Sequence, residues 1–327
     1  MWKQQKFVVA DPSHVGEIRR QAVLVAEELE FDEVLTGKIA IVVTELGTNL
    51  YKHAKQGEIL LSYSKTSCDI IAMDKGPGMS NVMECLRDGY STGSTQGTGL
   101  GSIKRQAHHM EIFTQPGKGT VIYVNFRKED RDHPELCLGA INVPYKEELV
   151  SGDSWSFCRG QKGMGLIVAD GLGHGILAHQ ASNKAVEIFD QEFEKQPQQV
   201  MTLLHTSLRS TRGAAISIAQ YDKTKKILNF CGVGNVNGSI ITGNTVKRCI
   251  SYNGTIGVQA NKVMTLPYPV ESDSVIILHS DGLSAHWSPS DYPGLLMKHP
   301  FVICGVLYRD HSRTTDDVTV VAFRGDR

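Results

Sequence analysis

The run Arg127-Lys-Glu-Asp-Arg-Asp-His-Pro134 does most to limit how this chain can fold. It carries six formal charges in eight residues and is closed by a proline. Such a stretch does not enter a hydrophobic core, and its default is an exposed connection. Before it, Val121-Ile-Tyr-Val-Asn-Phe126 alternates as a strand does; after it, a fresh apolar pattern begins at Leu136. A chain of 327 residues is long for one domain and comfortable for two. Residues 1–130 and 131–327 are therefore expected to fold as separate domains.

Composition removes several functional classes. Lys plus Arg total 34 against 35 Asp plus Glu, so the basic surplus of a nucleic-acid binder is missing and no nucleic-acid partner is expected. No run approaches the ~20 apolar residues of a spanning helix, and the opening segment is too short in apolar length for a signal peptide. The seven cysteines are odd in number, scattered and without a Cys-x-x-Cys. That pattern reads as reduced core thiols rather than a disulfide framework or zinc site, and the expected location is the cytoplasm.

The first half reads as a strand at 6–10, a helix over 12–30 and a second helix over 33–55. The second carries Leu35, Ile39, Val42, Val43, Leu46 and Leu50 at helical spacing. Strands at 59–64 and 69–74, Gly-rich loops, a helix over 102–109 and a strand at 121–126 follow. This order predicts an α+β layer arrangement with a largely antiparallel sheet. No Gly-x-x-x-x-Gly-Lys-Ser/Thr is present, which excludes a P-loop ATPase. Glu45 and Asn49 lie four apart, on one helix face, where a carboxylate can serve a proton and an amide a metal ion. Asp74-Lys-Gly76-Pro-Gly78 ends a strand, and Gly97-Thr98-Gly99-Leu100-Gly101 leads into a helix. Glycines before a helix N-terminus let backbone N–H groups and the helix dipole approach phosphate.

The second half is strand-rich, with candidates at 136–143, 164–169, 214–221, 227–232, 239–241, 275–279 and 318–323, and helices over 176–193 and 197–212. A sandwich with helices packed outside is the expected architecture. Aspartates recur where apolar runs stop: Asp153, Asp170, Asp281 and the pair Asp316-Asp317. Four such positions beside Gly or another Asp suggest carboxylates converging on hard cations, for which oxygen ligands suit Mg²⁺ or Mn²⁺.

In this order, the motifs of the first half resemble the Bergerat-fold ATP-binding superfamily of histidine kinases, gyrase and Hsp90-type ATPases. They are most similar to the RsbT-like and anti-sigma serine kinases. The resemblance runs to Pro116-Gly-Lys-Gly-Thr120. It implies a sandwich of helices on an antiparallel-rich sheet that binds ATP and Mg²⁺. Asn49 would hold the Mg²⁺, Asp74 would accept from the adenine amino group, and Gly76 and Gly78 would admit the base. Residues 97–101 would cap the phosphates, Thr120 would close the motif, and Glu45 would act as general base toward a substrate hydroxyl.

The second half, through Gly152-Asp153, Asp170-Gly-Leu-Gly-His-Gly175, Gly232-Val-Gly-Asn235, Ser280-Asp281-Gly282 and Asp316-Asp-Val-Thr319, resembles the SpoIIE-like and RsbX-like metal-dependent serine/threonine phosphatases of the protein phosphatase 2C class. That resemblance implies an αββα sandwich with two Mn²⁺ or Mg²⁺ ions. Asp170 would bridge them, and the Gly171 carbonyl, Asp153, Asp281 and Asp316 would complete the sites. Asp317 is read as a neighbour, His174 as a loop-ordering residue, Arg159 as a candidate cation for substrate phosphate, and His108-His109 as structural.

Together the resemblances imply a bifunctional partner-switching regulator of a stress or signalling module. A serine/threonine kinase and an opposing phosphatase would act on a STAS-domain phosphoprotein, with a sigma factor or response-regulator output protein as further partner. The alternative is a phosphatase governed by a non-catalytic ATP-binding sensor.

Overall fold

The structure is a computed structural model that describes residues 2–86, 99–128, 138–146, 148–161, 163–313 and 315–325. The chain divides into two compact units, Met1–His133 and Pro134–Arg327.

The first unit contains β1 (Lys3–Val9), α1 (Pro12–Glu28), α2 (Glu33–Asn49), β2 (Gly57–Tyr63), β3 (Ser67–Asp74), α3 (Val82–Cys85), α4 (Gly99–Gln106), β4 (His109–Gln115) and β5 (Gly119–Arg127). Its sheet runs β1-β2-β3-β5-β4, antiparallel at every step. Asp11 caps α1 by accepting from the Ser13 amide, with Pro12 in the first turn, and Asp32 caps α2 by accepting from the Leu35 amide at 2.7 Å. The apolar stripes of both helices (Ile18 and Val25; Ile39, Val43 and Leu46) bury against Ile59, Leu61, Ile70 and Val124 of the sheet. Gly47 lets the helices close: a Cβ there would stand 3.0 Å from the Val15 side chain.

Two expectations need correction here. The α-helix expected over 33–55 stops at Asn49 and continues as a π-helical turn, Leu50–Ala54, which Lys55 ends at φ 69°. The helix expected over 102–109 ends at Gln106, and a strand that was not expected follows it: β4 pairs with β5, and His108 Nδ1 accepts from the Arg127 amide at 2.9 Å.

The second unit contains β6 (Leu138–Val143), β7 (Asp153–Arg159), β8 (Gly163–Gly171), α5 (Ile176–Glu192), α6 (Pro197–Ser207), β9 (Ala214–Asp222), β10 (Ile227–Val233), β11 (Asn237–Thr242) and β12 (Thr245–Arg248). The short strands β13 (Ser251–Tyr252), β14 (Gly254–Thr255), β15 (Gln259–Ala260) and β16 (Leu266–Pro269) follow, then β17 (Val275–His279), α7 (Pro300–His311) and β18 (Val318–Arg324). One sheet runs β13-β10-β9-β8-β7, with β16 on β10, and the other runs β12-β11-β17-β18-β6. Leu166, Val168 and Phe230 of the first sheet pack against Leu138, Ile240, Leu278, Val321 and Phe323 of the second. Phe189, Val200 and Leu204 of α5 and α6 cover the outside of the first sheet, and α7 packs on β6 and β18 of the second. The layers are therefore αββα. Helix α7 was not expected; Gly139 permits its close seat, since a Cβ there would fall 2.1 Å from the Phe301 amide nitrogen.

Candidate functional site

In the first unit, α2 carries Glu45 and Asn49 half-buried on one face. The N-terminus of α4 meets that face: a Cβ on Gly99 would lie 3.1 Å from Glu45 Oε2 and 3.6 Å from Asn49 Oδ1. Leu100 and Gly101 follow within α4. Gly97 and Thr98 lie outside the described residues.

Asp74 ends β3, and its Oδ1 accepts from the Gly76 amide at 2.7 Å. Backbone contacts fix this corner tightly. Gly119, at φ 88°, brings its Cα so near the Asp74 carbonyl that a Cβ would stand 2.0 Å from that oxygen. Gly78, at φ 69°, passes as closely over the Gln115 carbonyl. Thr114 Oγ1 accepts from the Met79 amide at 2.9 Å and lies 3.1 Å from Thr120 Oγ1, tying the glycine turn to the β4–β5 hairpin. The corner gathers the Asp74 carboxylate, the turn glycines and the Thr120 hydroxyl, while the N-terminus of α4 lies beside a carboxylate and an amide. These donor sets fit a purine nucleotide and its Mg²⁺.

In the second unit, Asp153 and Asp170 are direct cross-strand partners in the β7–β8 ladder. Asp153 is only 2% exposed, and burial is the largest influence raising its pKa, with Asp317 and Asp316 adding to it. Burial also raises Asp170, followed by the charges of Asp153, Asp281, Asp316 and Asp317. The acids therefore feel one another at one edge of the sandwich. Asp281 follows β17, and its Oδ2 accepts from Asn235 Nδ2 at 2.6 Å. Asp316 Oδ1 accepts from the Asp317 amide at 2.9 Å. Gly282 crosses the Asp317 carbonyl so closely that a Cβ would stand 1.9 Å from it. The Gly171 backbone passes beneath α5, a Cβ there falling 2.1 Å from the Ala178 carbonyl.

No donor reaches Asp153 Oδ2 or Asp317 Oδ2 in good hydrogen-bond geometry, although Ser280 and Thr319 stand close enough to Asp153, and Ser151 and the Gly152 amide to Asp317, to favour their charged forms. A buried carboxylate oxygen with no donor is costly unless a cation answers it, so the donor set fits hard divalent ions. Among the described residues no three such side chains are yet closed into a ready-made cage. Asp281, Asp316 and Asp317 are instead held by Asn235 and by backbone amides, including Tyr145 N to Asp317 Oδ1 at 2.8 Å.

His174 Nδ1 lies 2.9 Å from Glu148 Oε1, and its ring centroid lies 5.4 Å from that of Tyr145. Arg159 is corrected: it pairs with Met164 at the far end of the β7–β8 hairpin, six positions from Asp153 and thus roughly 20 Å away. A cation that stands beside the loop after Asp170 is Arg212. Its Nη1 would lie 3.0 Å from a Cβ on Gly173, in the loop between Asp170 and His174. Arg212 precedes β9 in an ordinary Thr-Arg-Gly turn, so no motif marks it; the clue was an arginine one residue before Gly213, at the start of a core strand.

Residues 160–326, just over half of the chain, match the family Stage II sporulation protein E (SpoIIE). Residues 8–126 match the histidine kinase-like ATPase domain. The serine/threonine-protein kinase RsbT of Bacillus subtilis is 34% identical over 102 residues, covering 30% of this chain and 77% of that protein. The phosphoserine phosphatase RsbX of the same organism is 24% identical over 157 residues, covering 48% of this chain and 78% of that protein. A crystal structure of RsbX in complex with magnesium superposes with a TM-score of 0.51 at 20% identity, over 57% of this chain and 94% of that one. Fold and site together define a two-domain signalling enzyme, a serine/threonine kinase-type ATPase domain joined to a metal-dependent phosphatase domain of the protein phosphatase 2C class. The chain belongs to the SpoIIE family, and its first domain to the histidine kinase-like ATPases. This pairing is that of a partner-switching regulator that uses ATP and metal ions. Among the described residues, no helix is long and apolar enough to cross a membrane.

Proposed function

We propose that the two domains set the phosphorylation state of one protein in opposite directions: the first phosphorylates a serine or threonine of a STAS-domain partner in the cytoplasm, and the second removes that phosphate. The observation that carries the phosphatase half of this reading is the pairing of Asp153 with Asp170 within reach of the charges of Asp281, Asp316 and Asp317. Asp153, Asp170, the Gly171 carbonyl, Asp281 and Asp316 would hold two Mn²⁺ or Mg²⁺ ions. A divalent pair supplies a low-pKa water and a clamp for a phosphoryl group. The chain's own part is to gather the carboxylates on rigid strand ends, to keep Asp281 oriented through Asn235, and to bring Arg212 beside the loop where a phosphate would sit.

In the first domain, Asn49 would hold Mg²⁺ and Glu45 would take the proton of the attacking hydroxyl. Asp74, Gly76, Gly78 and Thr120 would receive the adenine, and residues 97–101 would cover the phosphates. Positioning and charge supply most of phosphoryl transfer, and a carboxylate base adds typically ~10²–10⁴-fold. The test is transfer of ³²P from γ-labelled ATP to a purified STAS-domain protein, followed by its release on adding Mn²⁺. Glu45→Gln should abolish transfer with ATP binding retained, and Asp170→Asn should abolish release. ATP binding without transfer by the parental protein would exclude the kinase role.

A further inference from the structure

The second sheet of the phosphatase domain is not covered evenly. Ile240, Ile276 and Leu278 point into the core between the sheets, so the alternate residues of β11 and β17 face outward. Helix α7 covers this outer face over β6 and β18. Over β11, β12 and β17 there is instead a cavity of about 380 Å³, lined among others by Asn237, Ser239, Arg248, His279 and Trp287.

The chemistry of the lining is one-sided, for it holds a guanidinium and no carboxylate. Arg248 Nη2 lies 3.5 Å from the Ala285 carbonyl, which leans the guanidinium across the mouth. Asn237 Nδ2 is engaged by the Asn235 carbonyl at 3.0 Å, but the Ser239 hydroxyl and the Trp287 indole N–H have no hydrogen-bond partner among the described residues. His279 Nδ1 lies 2.8 Å from the Ser280 carbonyl, which can only accept, so the ring is pinned with its proton on Nδ1. The lining thus offers one guanidinium and two side chains able to donate, the Ser239 hydroxyl and the Trp287 indole N–H.

Position gives the cavity a meaning. His279 is two residues before Asp281, hence no more than about 7 Å from it along the backbone. An extended peptide also advances ~3.3 Å per residue. A substrate whose phosphorylated side chain lies at the acids would bring the side chain two positions away to the His279 rim of this cavity, facing Arg248, which stands on β12 opposite Ser239, two strands from β17.

We propose that the Arg248–Trp287 cavity is a specificity pocket for an acidic side chain two residues from the phosphorylated serine or threonine of the substrate protein. The guanidinium gives a charge-assisted hydrogen bond to the carboxylate, and the Ser239 hydroxyl and Trp287 indole complete its shell. This rests on the phosphatase reading of the neighbouring acids, and the experiment separates the two.

The probes are synthetic phosphoserine peptides carrying Glu, Ala or Lys at both positions two residues from the phosphoserine, given to the full chain with Mn²⁺. The expected result is a kcat/KM at least about 10-fold higher for the Glu peptide than for the Lys peptide, the scale of one charge-assisted hydrogen bond. Arg248→Glu should reverse that order. Equal rates on the three peptides, or a preference unmoved by Arg248→Glu, would overturn the pocket. Hydrolysis of para-nitrophenyl phosphate by the parental protein tests the metal site alone. If that fails, calorimetric titration with the unphosphorylated Glu and Lys peptides still decides the pocket: tighter binding of the Glu peptide, lost in Arg248→Glu, supports it, and equal affinities refute it.

Discussion

Asp153 stands directly opposite Asp170 across the β7–β8 ladder, and after burial its charge is the largest influence holding the Asp170 carboxyl above the ordinary carboxylate range. A backbone register thus forces two acids together that would otherwise repel, which makes the site unfavourable without a cation.

Asp170→Asn should consequently act in two directions. In chelator-treated buffer at pH 8 the variant should be more stable than the parent by about 1–3 kcal/mol, and unfold at a higher temperature, because a neutral amide replaces an acid that burial and its neighbours hold away from its charged form. Its stabilisation by added Mn²⁺ should vanish, and phosphoserine hydrolysis should fall by more than the ~10–100-fold typical of losing a mere outer partner of a metal. Calorimetry with and without Mn²⁺ checks both, and a variant less stable than the parent without metal would show that Asp170 is not under electrostatic stress.

Asp69 offers a separate pH test in the first domain. It is buried, accepts from Tyr123 Oη and Asn125 Nδ2 at 2.7 Å each, and burial pushes its carboxyl up to about 6. The folded value lies above the unfolded one, so its favourable contribution is complete below about pH 3.8 and is lost as pH rises through about 6. Asp69→Asn should remove a pH-dependent loss of about 3 kcal/mol between these limits. Asn125 Oδ1 is buried without a partner, so a flipped Asn125 amide can accept from the amide that the substitution introduces, and the variant should fold. Parallel stability–pH curves for parent and variant would contradict this account.

Gly119→Ala should destroy the nucleotide corner. The added carbon would meet the Asp74 carbonyl at 2.0 Å in a backbone region that disfavours any side chain. Gly117→Ala is the control: its φ of 77° carries the same strain, about 1–2 kcal/mol, yet nothing lies within 4 Å. Fluorescent-nucleotide titration should show binding lost in the first variant and kept in the second, while Mn²⁺-dependent phosphatase activity survives in both.

Arg212→Ala should raise KM for phosphoserine peptides by about 10-fold or more and weaken inhibition by inorganic phosphate equally, as expected for loss of a guanidinium–phosphate contact. Arg159→Ala, at the opposite end of the β7–β8 hairpin, should leave both unchanged. Steady-state kinetics with phosphate as competitor distinguish them.

Much of this was legible in one dimension, and the failures have physical causes. The stripe Leu35-Ile39-Val43-Leu46 marks α2 because one face is apolar and the other is not. Helix α7 escaped because residues 300–309 are buried on every side, and a helix without a polar face carries no 3.6-residue signal. Strand β4 escaped because Phe113 and Thr114 break the alternation that His109 to Ile112 begin; pairing with β5 decides it. Aspartates at strand ends could be picked out because Asp-Gly pairs interrupt apolar runs. Their mutual charges, the tie of Asp317 to Tyr145 and the approach of Arg212 to Gly173 depend on segments far apart in the chain, which no local pattern encodes.

The place of β18 in its sheet has a temporal consequence. It lies between β17 and β6, with Asp316 and Asp317 immediately before it, so the second sheet and its acids cannot assemble until residues 316–324 have left the ribosome. The ATP-binding unit needs nothing beyond β5, which ends at Arg127. At ~5–20 residues per second, that leaves roughly 10–40 s in which each newborn molecule owns only the first of its two domains.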